Sequence, residues 1–350
     1  TARGYDAAFK AAQSQYTANL SKGDQAKALL LPTVGLSATV NKTEVELIAA
    51  GQTVNAQSKA ATLSASQPLY RPANFANYQQ GMRQLELASV QLKAAEQDLM
   101  VRLSQAYFDV LVSRESLDFV KAQKVAVAEQ LAAAKRNFEV GTSTITDTRE
   151  AQARFDLVVA QELAAENDLR VKKLALDQLV GKSNLQPAAL KTPNVLQPPQ
   201  PQDVEHWVKL ALENNVNIQQ LRVAFDVAKL ETEKAQAGHL PTLDLTASIA
   251  QNRYSGNRPQ TSLDGDVKTI GVALNIPLFA GFATQNRIRE TLALEEKARN
   301  DLEGAQRQVA QATRTAYLGL QSGLGQVKAY EAAEVSSQSA LDANKLGYQV

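Results

Sequence analysis

The stretch Leu31-Pro32-Thr33-Val34-Gly35-Leu36 opens a run of alternating residues, and Leu240-Pro241-Thr242-Leu243-Asp244-Leu245 opens a second run 209 positions later. Each run leads, at the same distance, to a further motif. This motif is Gln67-Pro68-Leu69-Tyr70 in the first half of the chain and Ile276-Pro277-Leu278-Phe279 in the second. A register kept over this length indicates that one structural unit has been duplicated.

The repeat continues along the helical part of the sequence and indicates a fragment. With an offset of 210, Phe138-Glu139-Val140 matches Tyr348-Gln349-Val350, and the sequence stops where a counterpart of Gly141 is expected. At the other end, Ala2-Arg3 aligns with Ala211-Leu212, so the turns before that point have no first copy. We therefore expect truncation at both ends.

Composition narrows the class of protein. Aromatic residues make up 5% of the 350, which suits long, closely packed helices better than a globular core. A formal net charge of +1 gives no reason to expect nucleic acid or a polybasic membrane patch. The chain has no cysteine, and no apolar stretch approaches the ~18 residues of a transmembrane helix. If the protein spans a membrane, it does so with strands.

Alternation predicts strands over 34–47, 58–70, 242–253 and 266–279. In the first of them, Val34, Leu36 and Ala38 alternate with small or polar residues. Each run is about as long as the ~9–11 residues that a tilted strand needs to cross a bilayer. Two hairpins of a soluble sheet would give the same alternation, so this pattern alone leaves both interpretations open.

The segments between the strands predict long coiled-coil helices. From Ala73 to Val140 there is no proline and only one glycine, and a row of apolar or small residues steps by seven. At ~1.5 Å per residue such a helix extends about 100 Å. The row consists of Leu85, Leu92, Leu99 and Ala106, and its copy contains Leu302, Val309 and Ala316.

These patterns divide the chain into two repeats. The first repeat, 1–181, contains strands 34–47 and 58–70 and a helical hairpin over 73–180. The return helix of this hairpin begins with Thr146 and Asp147 as side-chain acceptors and ends near Gly181. A proline-rich linker over 182–202 follows. The second repeat, 203–350, begins with a helix that is capped by Asp203 and runs to about Gln236. Strands 242–253 and 266–279 and a helix over 282–350 follow. This repeat lacks a return helix.

The sequence contains no recognisable catalytic or cofactor site. His206 and His239 lie far apart and have no neighbouring cluster of ligands. Gly319, Gly323 and Gly325 follow no strand, so they do not form a dinucleotide loop. No set of nucleophile, base and oxyanion donors can be assembled. We predict that the protein is not an enzyme and binds no cofactor or metal.

Together these motifs resemble the TolC family of outer-membrane efflux and secretion ducts. The resemblance rests on duplicated strand pairs and helical hairpins, on Phe138-x-Val140-Gly141 before Ile145-Thr146-Asp147, and on the stretch Gly238–Ser248. It implies a mainly α fold with membrane β-strands, in which three protomers share one barrel and one helical tunnel. It also implies partners: a periplasmic adaptor, an inner-membrane transporter and outer-membrane lipid.

The number of strands expected per chain also indicates an oligomer. Four strands per chain cannot close a membrane barrel, since single-chain barrels begin at about eight strands. Two chains would give eight strands and three would give twelve. The residues do not choose between these numbers, and a homotrimer is what the resemblance implies.

The resemblance also assigns site residues. Thr146, Asp147 and Tyr348 match positions of the periplasmic gate, and Gly141, Thr142, Ser143 and Thr144 match the hairpin tip that docks on the adaptor. In the alternative interpretation, Asp147 only caps a helix. The expected function is export of small molecules or proteins from the periplasm, and the alternative is a soluble periplasmic coiled-coil adaptor or structural protein. The sequence does not identify the cargo.

Overall fold

A computed structural model describes residues 2–47, 52–190, 196–256 and 264–347. The described residues are mainly helical and include one antiparallel sheet, so the predicted combination of long helices and strand pairs is confirmed. The elements in chain order are α1 (Ala7–Ala28), β1 (Thr33–Leu47), β2 (Gln52–Tyr70), α2 (Pro72–Glu139), α3 (Ile145–Val180), α4 (Val204–Asn214), α5 (Val216–Gln236), β3 (Thr242–Gly256), β4 (Gly265–Asn275) and α6 (Ala283–Gly347).

The four strands form one sheet in the order β1-β2-β3-β4. All three neighbouring pairs are antiparallel, and Leu36, Leu63 and Ile249 stand opposite one another across β1, β2 and β3. Because successive side chains of a strand point to opposite faces, this register gathers the apolar residues on one face. Most of that face is exposed, and only Ala65, Leu245 and Ala247 of its residues are half-buried. It includes Val34, Leu36, Ala38 and Val40 of β1, Ala61, Leu63 and Ala65 of β2, Leu245, Ala247 and Ile249 of β3, and Ile270, Val272 and Leu274 of β4.

The strand ends differ from the expected ones. β2 begins at Gln52 instead of position 58, and β4 ends at Asn275 instead of position 279. The early end of β4 has a simple cause. Asn275 pairs with Thr242, which is the first residue of β3, so β3 provides no partner for the residues after Asn275. Gly281 and Phe282 then adopt positive φ angles of 58° and 63° before α6 begins.

The single helix expected from Asp203 to about Gln236 is two helices. α4 begins directly after Asp203 but ends at Asn214, and α5 begins at Val216. Asn215 between them is extended, and its side-chain oxygen accepts the backbone N–H groups of Asn217 (2.9 Å) and Ile218 (3.2 Å). An asparagine that caps a new helix therefore interrupts the run, because its side chain satisfies N–H groups that have no partner in the first turn.

The chain forms two compact units that do not follow the repeats. One consists of Thr1–Ser14, Gln91–Asp203 and Leu318–Val350, and the other of Gln15–Val90 and Val204–Tyr317. The division into repeats 1–181 and 203–350 with a linker over 182–202 stays a sequence prediction. Among the described helices, none combines the length and the hydropathy that crossing a membrane requires.

The predicted seven-step row lies partly in the core of the first unit. Leu99 packs with Ala2 and Phe9, and Ala106 packs with Val110 and Leu176 of the return helix α3. Polar pairs also join α2 to α3, since Lys124 binds Glu162 at 2.5 Å and the Ser113 hydroxyl donates to Asp168 at 2.7 Å. In the copy, Leu302 and Val309 are half-buried and Ala316 is exposed.

Candidate functional site

The tip of the helical hairpin is a short turn between α2 and α3. Gly141 has φ +80°, a left-handed conformation that a residue without Cβ adopts readily, and its N–H donates to the Phe138 carbonyl at 3.0 Å. The Thr142 N–H then donates to the Asn137 carbonyl at 2.8 Å. These bonds satisfy the last carbonyl groups of α2 and reverse the chain over 141–144.

Thr144, rather than Thr146, caps the return helix, whereas Asp147 provides a side-chain acceptor as expected. The Thr144 hydroxyl oxygen accepts the Asp147 N–H at 3.2 Å, and the Asp147 carboxylate accepts the Thr144 N–H at 2.8 Å. This reciprocal arrangement is a capping box. The sequence signal for this cap is the spacing Thr144-x-x-Asp147, of which the sequence interpretation had identified only Asp147.

The structure describes two of the three predicted gate residues, Thr146 and Asp147. Thr146 and Asp147 are both exposed in the first turn of α3. The pKa of the Asp147 carboxyl is lowered below its ordinary value, mainly by the hydrogen bond from the Thr144 N–H and also by that from the Thr144 hydroxyl. The group is charged at neutral pH. Tyr348 lies outside the described residues. In the described part of the tip, the Ser143 hydroxyl is buried and has no hydrogen-bond partner.

A second polar site lies where the sheet meets the helices, and sequence reasoning missed it. Arg71, between β2 and α2, donates from Nε to Asp244 Oδ1 at 2.7 Å and from Nη2 to Asp244 Oδ2 at 2.5 Å. Asp244 is a buried residue of β3. This two-bond geometry fixes the guanidinium and the carboxylate relative to each other. The two residues are 173 positions apart, so no local pattern could have paired them.

Three helices of the second unit meet at Glu231 of α5. Its carboxylate binds Lys234 of the same helix, accepts the Gln80 side-chain amide of α2 at 3.0 Å, and binds Arg287 of α6 at 2.7 Å. Burial alone would raise the pKa of Glu231, but the hydrogen bonds from these three partners outweigh it and lower the pKa to about 2. The carboxylate therefore links α2, α5 and α6 as a permanent anion near neutral pH.

Comparisons with known proteins match almost the whole length of this chain. The model of the family described as "Outer membrane efflux protein" matches residues 1–182 and 207–350. The outer membrane protein TolC of Vibrio cholerae is 33% identical over 355 residues, which cover 99% of this chain and 76% of that protein. The proteases secretion protein PrtF of Dickeya chrysanthemi is 29% identical over 97% of this chain and 75% of its own length.

A solved structure agrees at the level of the fold. The outer membrane protein VceC of Vibrio cholerae superposes with a TM-score of 0.72 at 20% identity, covering 88% of this chain and 74% of that one. The family match spans both strand pairs and both sets of long helices. This chain covers more than two thirds of the length of TolC of Vibrio cholerae and of PrtF. The chain therefore belongs to the outer membrane efflux protein family.

Proposed function

We propose that three copies of this chain form one export duct, in which each copy contributes four strands to a shared barrel and its helices to a tunnel. Membership of the family makes the chain an outer-membrane export protein and does not favour a soluble adaptor. Adaptor and inner-membrane transporter partners follow from the same membership. The number of copies, the gate residues and the docking tip are the parts we add.

The main support for this proposal is that the sheet has two edge strands. Among the described residues, β1 and β4 each have a strand on one side only. In lipid, unpaired backbone groups along such an edge cost several kcal/mol each. Four strands are too few to close, because membrane barrels begin at about eight. Strands of further copies would pair both edges, and the exposed apolar face of the sheet would then meet lipid.

A row of exposed apolar residues on α2 supports contact between copies. Val101, Phe108, Val112 and Phe119 follow one another at steps of seven, four and seven, and all four are exposed. Residues with this spacing share one face of a helix. Exposed apolar rows of this kind mark interaction surfaces. A helix of a neighbouring copy would cover the row in a closed tunnel.

The tip and the gate are the sites at which this duct would meet its partners. Gly141–Thr144 would dock on a periplasmic adaptor, because Gly141, Thr142 and Thr144 are exposed at the turn between two long helices. Thr146, Asp147 and Tyr348 would close the periplasmic end through hydrogen bonds. Asp147 suits this role because it is charged and exposed. Related proteins are named for protease secretion and for efflux, so both proteins and small molecules remain candidate cargo.

Assembly and conductance test the proposal together. The protein is extracted from outer membranes in detergent, its mass is measured by light scattering, and the same sample is added to a planar bilayer. We expect the mass of three copies and discrete conductance steps. Recovery in the aqueous supernatant without detergent would overturn the proposal, and so would a stable monomer without conductance.

A further inference from the structure

The two hairpins of the sheet are copies in their pairing as well as in their sequence. In the first hairpin Thr33 pairs with Ser66, and in the second Thr242 pairs with Asn275. Both residues of the second pair lie 209 positions after those of the first, which is the offset of the sequence repeat. The hairpins β1-β2 and β3-β4 therefore have the same internal register.

Two neighbouring hairpins pair through their adjacent strands, and we call this pairing a joint. One joint lies within the chain. β2 pairs with β3, with Ser66 opposite Thr246 and Leu63 opposite Ile249. Near the helices the register shifts at a bulge, so that Pro68 is opposite Asp244 and Tyr70 is opposite Leu243. In a closed ring of identical chains, the other joint brings β4 of one copy beside β1 of the next. Because the hairpins are copies, the two joints are related by the same offset.

We propose that β4 pairs antiparallel with β1 of the neighbouring copy in the same register as β2 with β3. In this register each β2 residue is replaced by the β4 residue 209 positions later, and each β3 residue by the β1 residue 209 positions earlier. The inference rests on the proposed ring of copies and adds the residue contacts that close it. The facing pairs, with the residue of β4 first and that of the neighbouring copy second, are Ile276 and Leu36, Leu274 and Ala38, Val272 and Val40, Ile270 and Lys42, and Lys268 and Glu44.

The faces of the sheet agree with this register. Val272 and Val40, which are 60% and 64% exposed in the single chain, would cover each other and continue the apolar face across the joint. A slip by one residue would instead place Val272 opposite Thr39 or Asn41, on the polar face. The register also sets Lys268 opposite Glu44. At the loop end, Asp266 meets Glu46, an unfavourable like-charge pair that lies beyond the apolar residues.

The register also explains the early end of β4. Leu278 is 91% exposed and Phe279 is 71% exposed, whereas Leu69 and Tyr70 at the same repeat positions are 53% and 49% exposed. Tyr70 pairs with Leu243 of β3. With a neighbouring β1 in place, residues 276–279 gain the partner that β3 does not provide. Phe279 would then stand opposite Val34 of the neighbouring copy after a bulge between Pro277 and Phe279, as Tyr70 stands opposite Leu243 after the bulge in β2. The strand predicted to reach position 279 would be completed by assembly.

Disulfide crosslinking tests the register directly, because the chain has no cysteine. Facing residues of antiparallel strands have Cα atoms about 4.5–5.5 Å apart, within the range that a disulfide spans. We expect Val272→Cys combined with Val40→Cys to give covalently linked copies on a non-reducing denaturing gel after oxidation in membranes. Matched controls keep Val272→Cys and move the second cysteine two residues, to Ala38→Cys or Lys42→Cys. Both should link at least tenfold less.

A further pair within one copy, Leu63→Cys with Ile249→Cys, controls for oxidation, since these residues already face each other. Stronger linking of a shifted pair than of the proposed pair would overturn the register while leaving the ring intact. Absence of linking in all three intermolecular pairs, in a sample whose light-scattering mass is that of three copies, would overturn pairing between β4 and β1. A monomeric mass would overturn the ring itself, and the register with it.

Discussion

At the start of α3, the Asp147 carboxylate has a structural role that the sequence alone left undecided. It accepts the Thr144 N–H and forms half of a capping box. The cap is sufficient to lower the pKa of the carboxyl, so that shift does not by itself indicate a gate. The carboxylate is also exposed and can accept further hydrogen bonds from another hairpin. Both roles are compatible, and a comparison of variants separates them.

We predict that Asp147→Ala raises the single-channel conductance of the assembled duct in a planar bilayer. If the carboxylate holds the periplasmic end closed, its loss in every copy shifts the tunnel towards the open state. Asp147→Asn keeps an acceptor for the Thr144 N–H but loses the charge, so it should raise the conductance less.

Thr144→Ala is the matched control for this prediction, because it removes the other half of the same capping box and leaves the Asp147 carboxylate in place. We expect it to destabilise the start of α3 by about 1 kcal/mol without changing conductance. Equal conductance increases in Thr144→Ala and Asp147→Ala would show that loss of the cap opens the tunnel. The gate assignment would then be wrong.

At the scale of elements, the alternation and seven-step patterns predicted the strands and the long helices, because both depend on local periodicity. The break at Asn215 escaped prediction because it contains no proline or glycine and depends on one asparagine side chain that caps α5. The pair of Arg71 and Asp244 could not be predicted from spacing, since it forms only when β2 and β3 lie side by side. The end of β4 depends on which strand lies beside it.

The Glu231 cluster gives a pH prediction for the helices of the second unit. The ordinary pKa of this carboxyl is 4.5, and its contacts lower the pKa to about 2 in the folded protein. A group with a lowered folded pKa stabilises the protein fully above its ordinary pKa, and this contribution is lost as the pH falls towards the folded value. We therefore expect the unfolding temperature of the wild type to fall between pH 4.5 and 2.

Glu231→Gln should destabilise the protein at pH 7 by about 1–2 kcal/mol, because Arg287 and Lys234 lose a charged acceptor at a partly exposed site. Its unfolding temperature should fall less steeply with acid than that of the wild type. Differential scanning calorimetry of the detergent-solubilised protein measures both. Glu86→Gln, at an exposed ion pair with Arg83 on α2, is the control and should change stability by less than about 0.5 kcal/mol. Parallel acid profiles for the wild type and Glu231→Gln would contradict the assignment.

At the scale of the whole molecule, the two faces of the sheet have opposite environments in the proposed duct. On β2, Leu63 belongs to the apolar face, which would meet lipid, and the next residue, Ser64, points to the opposite face, which would line the interior. Both side chains are exposed in the single chain. The isolated fold therefore does not distinguish them, whereas assembly in a membrane does.

We predict that Leu63→Lys and Ser64→Lys have different effects although they add the same charge at adjacent positions. A lysine on the lipid face costs about 2–4 kcal/mol per copy near the bilayer centre, so Leu63→Lys should greatly reduce the amount of assembled duct in outer membranes. Ser64→Lys should assemble in normal amounts, since an interior lysine stays in water, and its ring of positive charges should shift the reversal potential towards anion selectivity. Native gels of membrane extracts measure the first effect, and bilayer recordings in a salt gradient measure the second. If Ser64→Lys blocks assembly while Leu63→Lys assembles and changes selectivity, the sheet has the opposite orientation and its apolar face lines the interior.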